Sequence, residues 1–179
     1  MIILGIDPGT TSIGYALLDC TGRQPRILEA RLVPLAASLP EDRLMDIHRE
    51  IKKIIEQWKP RAVSVEKLFF AKNAKTAIAV AEARGVILLT AKLCRIKVYE
   101  YTPLTIKKVV TGDGNADKMQ VQKMVRLTLK ETADIPSQDD VFDAIASTLC
   151  CLYQEGLRPD GLARATSGDR SRPVYPRSP

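Results

Sequence analysis

Two apolar runs separated by a tight turn set the first constraint on this chain. Residues 2–7 (IILGID) end at Pro8-Gly9, a turn signal, and residues 13–18 (IGYALL) begin a few positions later. Runs this short and this close bury their side chains best by pairing, so they read as an antiparallel hairpin. Residues 26–35 (RILEARLVPL) alternate loosely and read as a third strand, which makes a meander. The apolar period then changes. Over residues 42–58, Leu44, Ile47, Ile51, Ile54, Ile55 and Trp58 follow helical spacing, and Pro60 ends that helix. Ala62–Glu66 (AVSVE) alternates as a buried strand, residues 67–73 form a loop, and residues 74–94 form a long alanine-rich helix. Residues 96–100 read as a further strand. Helices follow over 103–110, 118–130 and 138–154, with Asp117 and Gln120 at the spacing of a capping box. The order βββαβαβ followed by helices predicts an α/β fold, a sheet with helices packed around it.

A length of 179 residues suits one domain with a sizeable core. We place that domain at residues 1–155. The segment 156–179 holds four prolines, three glycines and no apolar periodicity, the composition of a weakly ordered tail. Its five arginines either add nonspecific DNA affinity or do nothing. No apolar run is long enough to cross a bilayer, and MIILGID has neither a basic n-region nor a small-residue cleavage site. A cytoplasmic protein is expected. Cys20, Cys94, Cys150 and Cys151 show no metal or redox spacing, so free thiols are expected. His48 is the single histidine, which excludes multi-histidine metal sites and argues against a Ser-His-Asp triad.

Charge is unevenly spread. Residues 66–130 carry 13 basic and 5 acidic groups, whereas residues 131–155 carry six acidic groups and no basic one. Such blocks are often only solvated surface. They are also what an enzyme acting on a polyanion through metal ions requires: cations for phosphates and carboxylates for the metal.

The carboxylates narrow the choice. Asp7 closes the first strand beside Pro-Gly, where an acid is commonly a turn residue. Glu66 closes the strand AVSVE in the same way, and two strands that each end in an acid are harder to assign to turns. In the last helix (DDVFDAIASTLCCL), Asp140 and Asp143 lie roughly 60° apart on one face. That face also carries Ala144 and Ser147, which permit close approach to a strand, while Val141, Ile145, Thr148 and Leu152 form a separate stripe for the core. Asp139 points away from that stripe, as a first-turn acid favoured by the helix dipole. Four converging carboxylates repel one another and persist mainly around cations. With oxygen ligands, Mg²⁺ or Mn²⁺ fits, and the matching chemistry is two-metal phosphodiester hydrolysis. Spacing alone also allows the four acids to be dispersed over the surface.

GIDPGTTSIGYA (5–16), VEKLFFAKNAKTAIAVAEARGV (65–86), KKVVTGDGNADKMQVQKMVR (107–126) and DDVFDAIA (139–146) resemble the successive blocks of RuvC resolvases. The resemblance spans residues 1–154 in order. It implies a ribonuclease-H-like fold with a mixed five-stranded sheet. It further implies a homodimer that cuts two symmetry-related strands of a four-way DNA junction, with RuvA and RuvB type branch-migration proteins as partners. By position, the resemblance implies that the catalytic and metal-binding acids are Asp7, Glu66, Asp140 and Asp143, with two Mg²⁺ per site. Asp139 leaves a register ambiguity, since it too is a helical neighbour of Asp143. Phe69 and Phe70 would ordinarily be core. The resemblance implies that Phe69 stacks on an unpaired base. It also implies that Lys107 and Lys118 face DNA phosphates, with Lys72, Lys75, Lys108 and Lys123 extending the basic face. Small residues Ala74, Ala77, Ala81 and Gly85 suit either close packing on the sheet or a dimer contact.

Three rival readings remain. GIDPGTTS also resembles a phosphate loop of actin-like ATPases, which need a second, duplicated domain that 179 residues do not supply. A related nuclease of RNA processing should lack the full Phe69 and Lys107–Lys118 blocks. A junction-binding module with vestigial acids is disfavoured by the presence of all four carboxylates.

Overall fold

The order of strands in the sheet is β3-β2-β1-β4-β5, with β1 (Ile2–Pro8) at its centre. The computed structural model describes residues 1–9, 11–37, 39–67, 74–129 and 135–157. β2 (Ser12–Asp19) and β3 (Arg26–Pro34) continue antiparallel on one side of β1. On the other side, β4 (Ala62–Glu66) and β5 (Lys97–Tyr101) run parallel to it. The meander and the two crossover strands agree with the order read from the sequence.

Helices cover both faces. α1 (Pro40–Trp58) buries Ile47, Ile51, Ile54 and Ile55, and packs with α2 (Ala74–Leu93) over Leu4, Ile6, Val63 and Val65. His48 Nδ1 lies 2.9 Å from Thr90 Oγ1 and ties the two helices together. On the opposite face lie α3 (Pro103–Thr111), α4 (Lys118–Thr128) and α5 (Asp139–Gln154). The Asp117–Gln120 capping box starts α4, with Gln120 N–H donating to Asp117 Oδ1 at 2.8 Å. Thr102 caps α3 by accepting from Thr105 N–H at 3.1 Å. The four cysteines are free thiols.

One expectation needs correction, and one of two alternatives falls away. α5 has no separate core stripe: every residue from 141 to 152 except Asp143 is buried. The sheet covers one side of this helix and α3 and α4 cover much of the rest, so a helix apolar almost all round is the physical outcome. Arg126 of α4 stacks on the Phe142 ring at 4.9 Å as part of that cover. On α2, Gly85 does not pack on the sheet. It is exposed, with open space where a Cβ would stand, while Ala83, Ile87 and Ala91 face the core.

Candidate active site

β1 and β4 pair in parallel as far as Ile6 opposite Val65. Alternation along the strands then decides where the next residues face. Leu4, Ile6, Val63 and Val65 belong to the core under α1 and α2. Gly5 and Asp7, and likewise Ser64 and Glu66, therefore look toward α5. The contacts agree. A Cβ on Gly5 would stand 2.0 Å from Thr148 Oγ1 and 2.2 Å from the Ala144 carbonyl oxygen. Ser64 Oγ donates to the Ser147 carbonyl at 2.9 Å and lies 2.6 Å from Ser147 Oγ. Asp7 and Glu66 thus close two adjacent parallel strands on one face.

α5 delivers the other two acids. The Asp140 carbonyl oxygen would lie 2.2 Å from a Cβ on Gly14, and Gly14 is the partner of Asp7 in the β1–β2 ladder. Only glycine there lets the helix start sit down on the sheet, and it seats Asp140 beside Asp7. Asp143 is one helical turn before Ser147, which rests on Ser64, and Glu66 is two residues beyond Ser64. One turn of helix, ~6 Å, matches two strand residues, ~6.6 Å, so Asp143 comes alongside Glu66.

Electrostatics link the same four residues. Burial pushes the Asp7 carboxyl well above the usual carboxylate range, and the charges of Asp143, Glu66 and Asp140 add to the rise. Glu66 is pushed up to about 7, first by burial and then by Asp143, with Lys107 and Lys118 opposing. Asp143 is raised by burial. Lys118 opposes that rise, Asp139 and Asp140 reinforce it, and Lys107 opposes it. Lys107 from α3 and Lys118 from α4 are thus the cations that act on the cluster from the side away from the sheet.

The remaining expected residues divide. Lys108 and Lys123 are exposed on α3 and α4. Phe69, Phe70 and Lys72 lie outside the described residues, as does the side chain of Lys75. Lys118, expected to face DNA, is engaged in the protein itself: its Nζ donates to Asp139 Oδ2 at 2.9 Å. The sequence reading missed this pair and the second donor to Asp139, Gln122 Nε2 at 3.1 Å. It also gave no role to Gly5 and Gly14. A glycine opposite a strand-end acid was the available signal for Gly14.

Among the described residues, no three acidic, cysteine or histidine side chains are drawn tightly enough together to form ready metal ligands. Asp143, Glu66 and Asp140 all act on Asp7 through charge. Their chemistry nonetheless fits a divalent cation. All four are oxygen donors, Asp7, Glu66 and Asp143 are buried enough that ionisation is disfavoured, and the negative charge of their neighbours adds to that until a cation arrives. A cleft of about 520 Å³ between α1 and α2, lined by His48, Lys52, Glu56 and Cys94 among others, is on the other face of the sheet and gathers no group of acids.

The family model described as crossover junction endodeoxyribonuclease RuvC matches residues 3–151. The chain belongs to this family. The RuvC of Halothermothrix orenii is 47% identical over 151 residues, covering 84% of this chain and 91% of the relative. That of Roseiflexus sp. is 44% identical over 151 residues, covering 84% of this chain and 89% of the relative. The solved RuvC of Thermus thermophilus superposes with a TM-score of 0.77 at 31% identity, covering 87% of this chain and 96% of that one. The same protein in complex with a Holliday junction substrate matches with a TM-score of 0.77 at 32% identity, covering 84% and 92%. The yeast mitochondrial Holliday junction resolvase shares the fold alone, with a TM-score of 0.65 at 13% identity over 83% of this chain and 76% of that one. The mixed five-stranded sheet of this RuvC-family chain is ribonuclease-H-like, as the block pattern implied. Among the described residues, no helix is long and apolar enough to cross a membrane.

Proposed function

We propose that this chain resolves four-way DNA junctions by hydrolysing one phosphodiester in each of two symmetry-related strands, with Asp7, Glu66, Asp140 and Asp143 as its metal-holding acids. The observation that carries the proposal is the convergence of two strand-end acids with two acids of α5, in a setting where Lys107 and Lys118 bring positive charge. A polyanionic strand is attracted by the lysines and its phosphate is delivered to the acids. Two Mg²⁺ ions, or Mn²⁺ in their place, would supply the charge that lowers the pKa of an attacking water and offsets charge on the leaving oxygen. Water attacks phosphorus in line, the bond to the 3′ oxygen breaks, and the ends are a 5′-phosphate and a 3′-hydroxyl. The acids fix the geometry from rigid elements: two strand ends and one helix seated on glycines.

Paired cuts need two active sites, and the outer face of α2 supports a homodimer. Ile78, Leu89 and Leu93 are 68%, 57% and 65% exposed on one face of α2, with Gly85 opening space between them. Base stacking by Phe69, action in the bacterial cytoplasm and partnership with a branch-migration helicase complex are further parts of this proposal, which family membership suggests. A mobile four-way junction incubated with Mg²⁺ tests the proposal, with Asp7→Asn alongside wild type and linear duplex and an RNA–DNA hybrid as competitors. The expected result is symmetric paired nicks in the junction, lost in Asp7→Asn while junction binding survives. Binding without cutting would reduce the protein to a junction-binding module, and cutting of the hybrid alone would assign it to RNA processing.

A further inference from the structure

We infer that Asp139 is a positioning residue that holds the Lys118 ammonium beside the four-acid cluster rather than serving as one of its metal ligands. Asp139 is the first residue of α5, next in sequence to Asp140, and the two acids serve different faces of the helix start. Asp140 sits against Gly14 of the sheet. Asp139 turns to α4, where Oδ2 accepts from Lys118 Nζ at 2.9 Å and Oδ1 accepts from Gln122 Nε2 at 3.1 Å. Both carboxylate oxygens are therefore engaged. The two donors stand one turn apart on the same face of α4, so the carboxylate is held from two points rather than one.

The start of α4 is itself fixed. Asp117, immediately before Lys118, and Gln120, two residues after it, close a reciprocal capping box with bonds of 2.8 Å in each direction. The Lys118 backbone is thus set by the cap and its head by Asp139. Without Asp139, a cation on a four-carbon stem would have its nearest alternative partners in the cluster, since Asp143, Asp140 and Asp7 all interact with it electrostatically. An ammonium folded onto those acids would compete with the metal and lose its aim at a phosphate. A solvated side chain, 64% exposed, gains little from one surface ion pair. The gain here is orientation set before substrate arrives. Asp139 acts on Asp143 through charge but is not among the principal charges acting on Asp7 or Glu66, which places it at the rim of the cluster.

This inference rests on the junction-cutting reading and is tested separately from it by a double-mutant cycle of Asp139→Ala and Lys118→Ala. Single-turnover cleavage at saturating protein should fall about three- to fivefold in Asp139→Ala, with junction affinity unchanged. In the Lys118→Ala background the same substitution should change nothing further. Asp139→Glu, which keeps a carboxylate within reach of Lys118, should recover part of the rate. Equal losses in both backgrounds would overturn the inference, because a merely structural first-turn acid acts independently of Lys118. So would a rise in the metal concentration for half-maximal cleavage that persists without Lys118, since that marks a metal ligand. The same cycle read on the thermal midpoint of metal-free protein needs no activity: non-additivity of about 1–2 °C supports the contact, and additive shifts overturn it. A wild type that cuts no junction refutes the functional reading, and the midpoint cycle still decides the contact.

Discussion

Removing the Glu66 charge should stabilise the metal-free protein while ending its activity. In the fold Glu66 ionises near pH 7 instead of near 4.5, chiefly because burial strips water from the carboxylate and secondarily because Asp143 repels it. A raised folded-state pKa means that the protonated form favours the fold. Its contribution is complete below pH 4.5 and is lost as pH rises through about 7. The gap of roughly 2.5 units corresponds to about 3 kcal/mol between the two ends of that window, an upper limit because Glu66 retains partial contact with water. Glu66→Gln keeps the shape, removes the charge and offers Asp143 a hydrogen-bond donor. At pH 8.5 in EDTA the variant should exceed wild type by roughly 1–3 kcal/mol of unfolding free energy in urea titrations. At pH 4.5 the two should agree.

The difference between the two proteins isolates this one group. Asp19, for example, is lowered to about 2 by Thr21 and the N-terminal ammonium and shapes acid stability equally in both. Saturating Mg²⁺ should shrink or reverse the advantage, because the wild-type carboxylate then has its counter-charge. Equal stability at pH 8.5, or an equal gain at both pH values, would refute the reasoning. The first outcome would mean that the charge carries no burden, and the second would trace the effect to packing.

Gly14→Ala should lower stability by about 2–4 kcal/mol in urea titrations, because its Cβ would meet the Asp140 backbone at 2.2 Å and the start of α5 must lift. Cleavage should fall with it, and an unperturbed variant would remove the seating argument. Mg²⁺ at about 100 times its dissociation constant should raise the wild-type melting temperature at pH 8 by roughly 5–10 °C, and distinctly less in Asp7→Asn. Equal shifts would move the metal away from Asp7. Leu89→Glu, at a position 57% exposed on α2, should leave the fold intact and yield a monomer in sedimentation, while an unchanged dimer would place the interface elsewhere.

What the sequence disclosed and what it withheld divide along the range of the interaction. The hairpin around Pro8-Gly9, the isoleucine stripe of α1 and the Asp117–Gln120 cap are local, within a turn or two of chain, and each is legible from its own segment. The placement of Asp7 and Glu66 at strand ends is legible for the same reason. α2 is a different case: AIAVAEARGVILLTA is apolar on nearly every side, so its period cannot say that Ala83 and Ile87 face inward while Ile78 and Leu89 face out. That choice is made by α1, distant in sequence.

Asp139 and Asp140 show the limit most clearly. They are identical side chains in adjacent positions, and helical periodicity fixes the angle between them at ~100° without saying where either points. The missing reference is the sheet. Gly14, more than a hundred residues earlier, has no Cβ and so admits the Asp140 backbone to van der Waals contact, which orients Asp140 toward Asp7. Once that phase is set, Asp139 faces α4 and meets Lys118 and Gln122. A single absent methyl group on β2 thereby sends one aspartate to the cluster and its neighbour to the lysine that guards it.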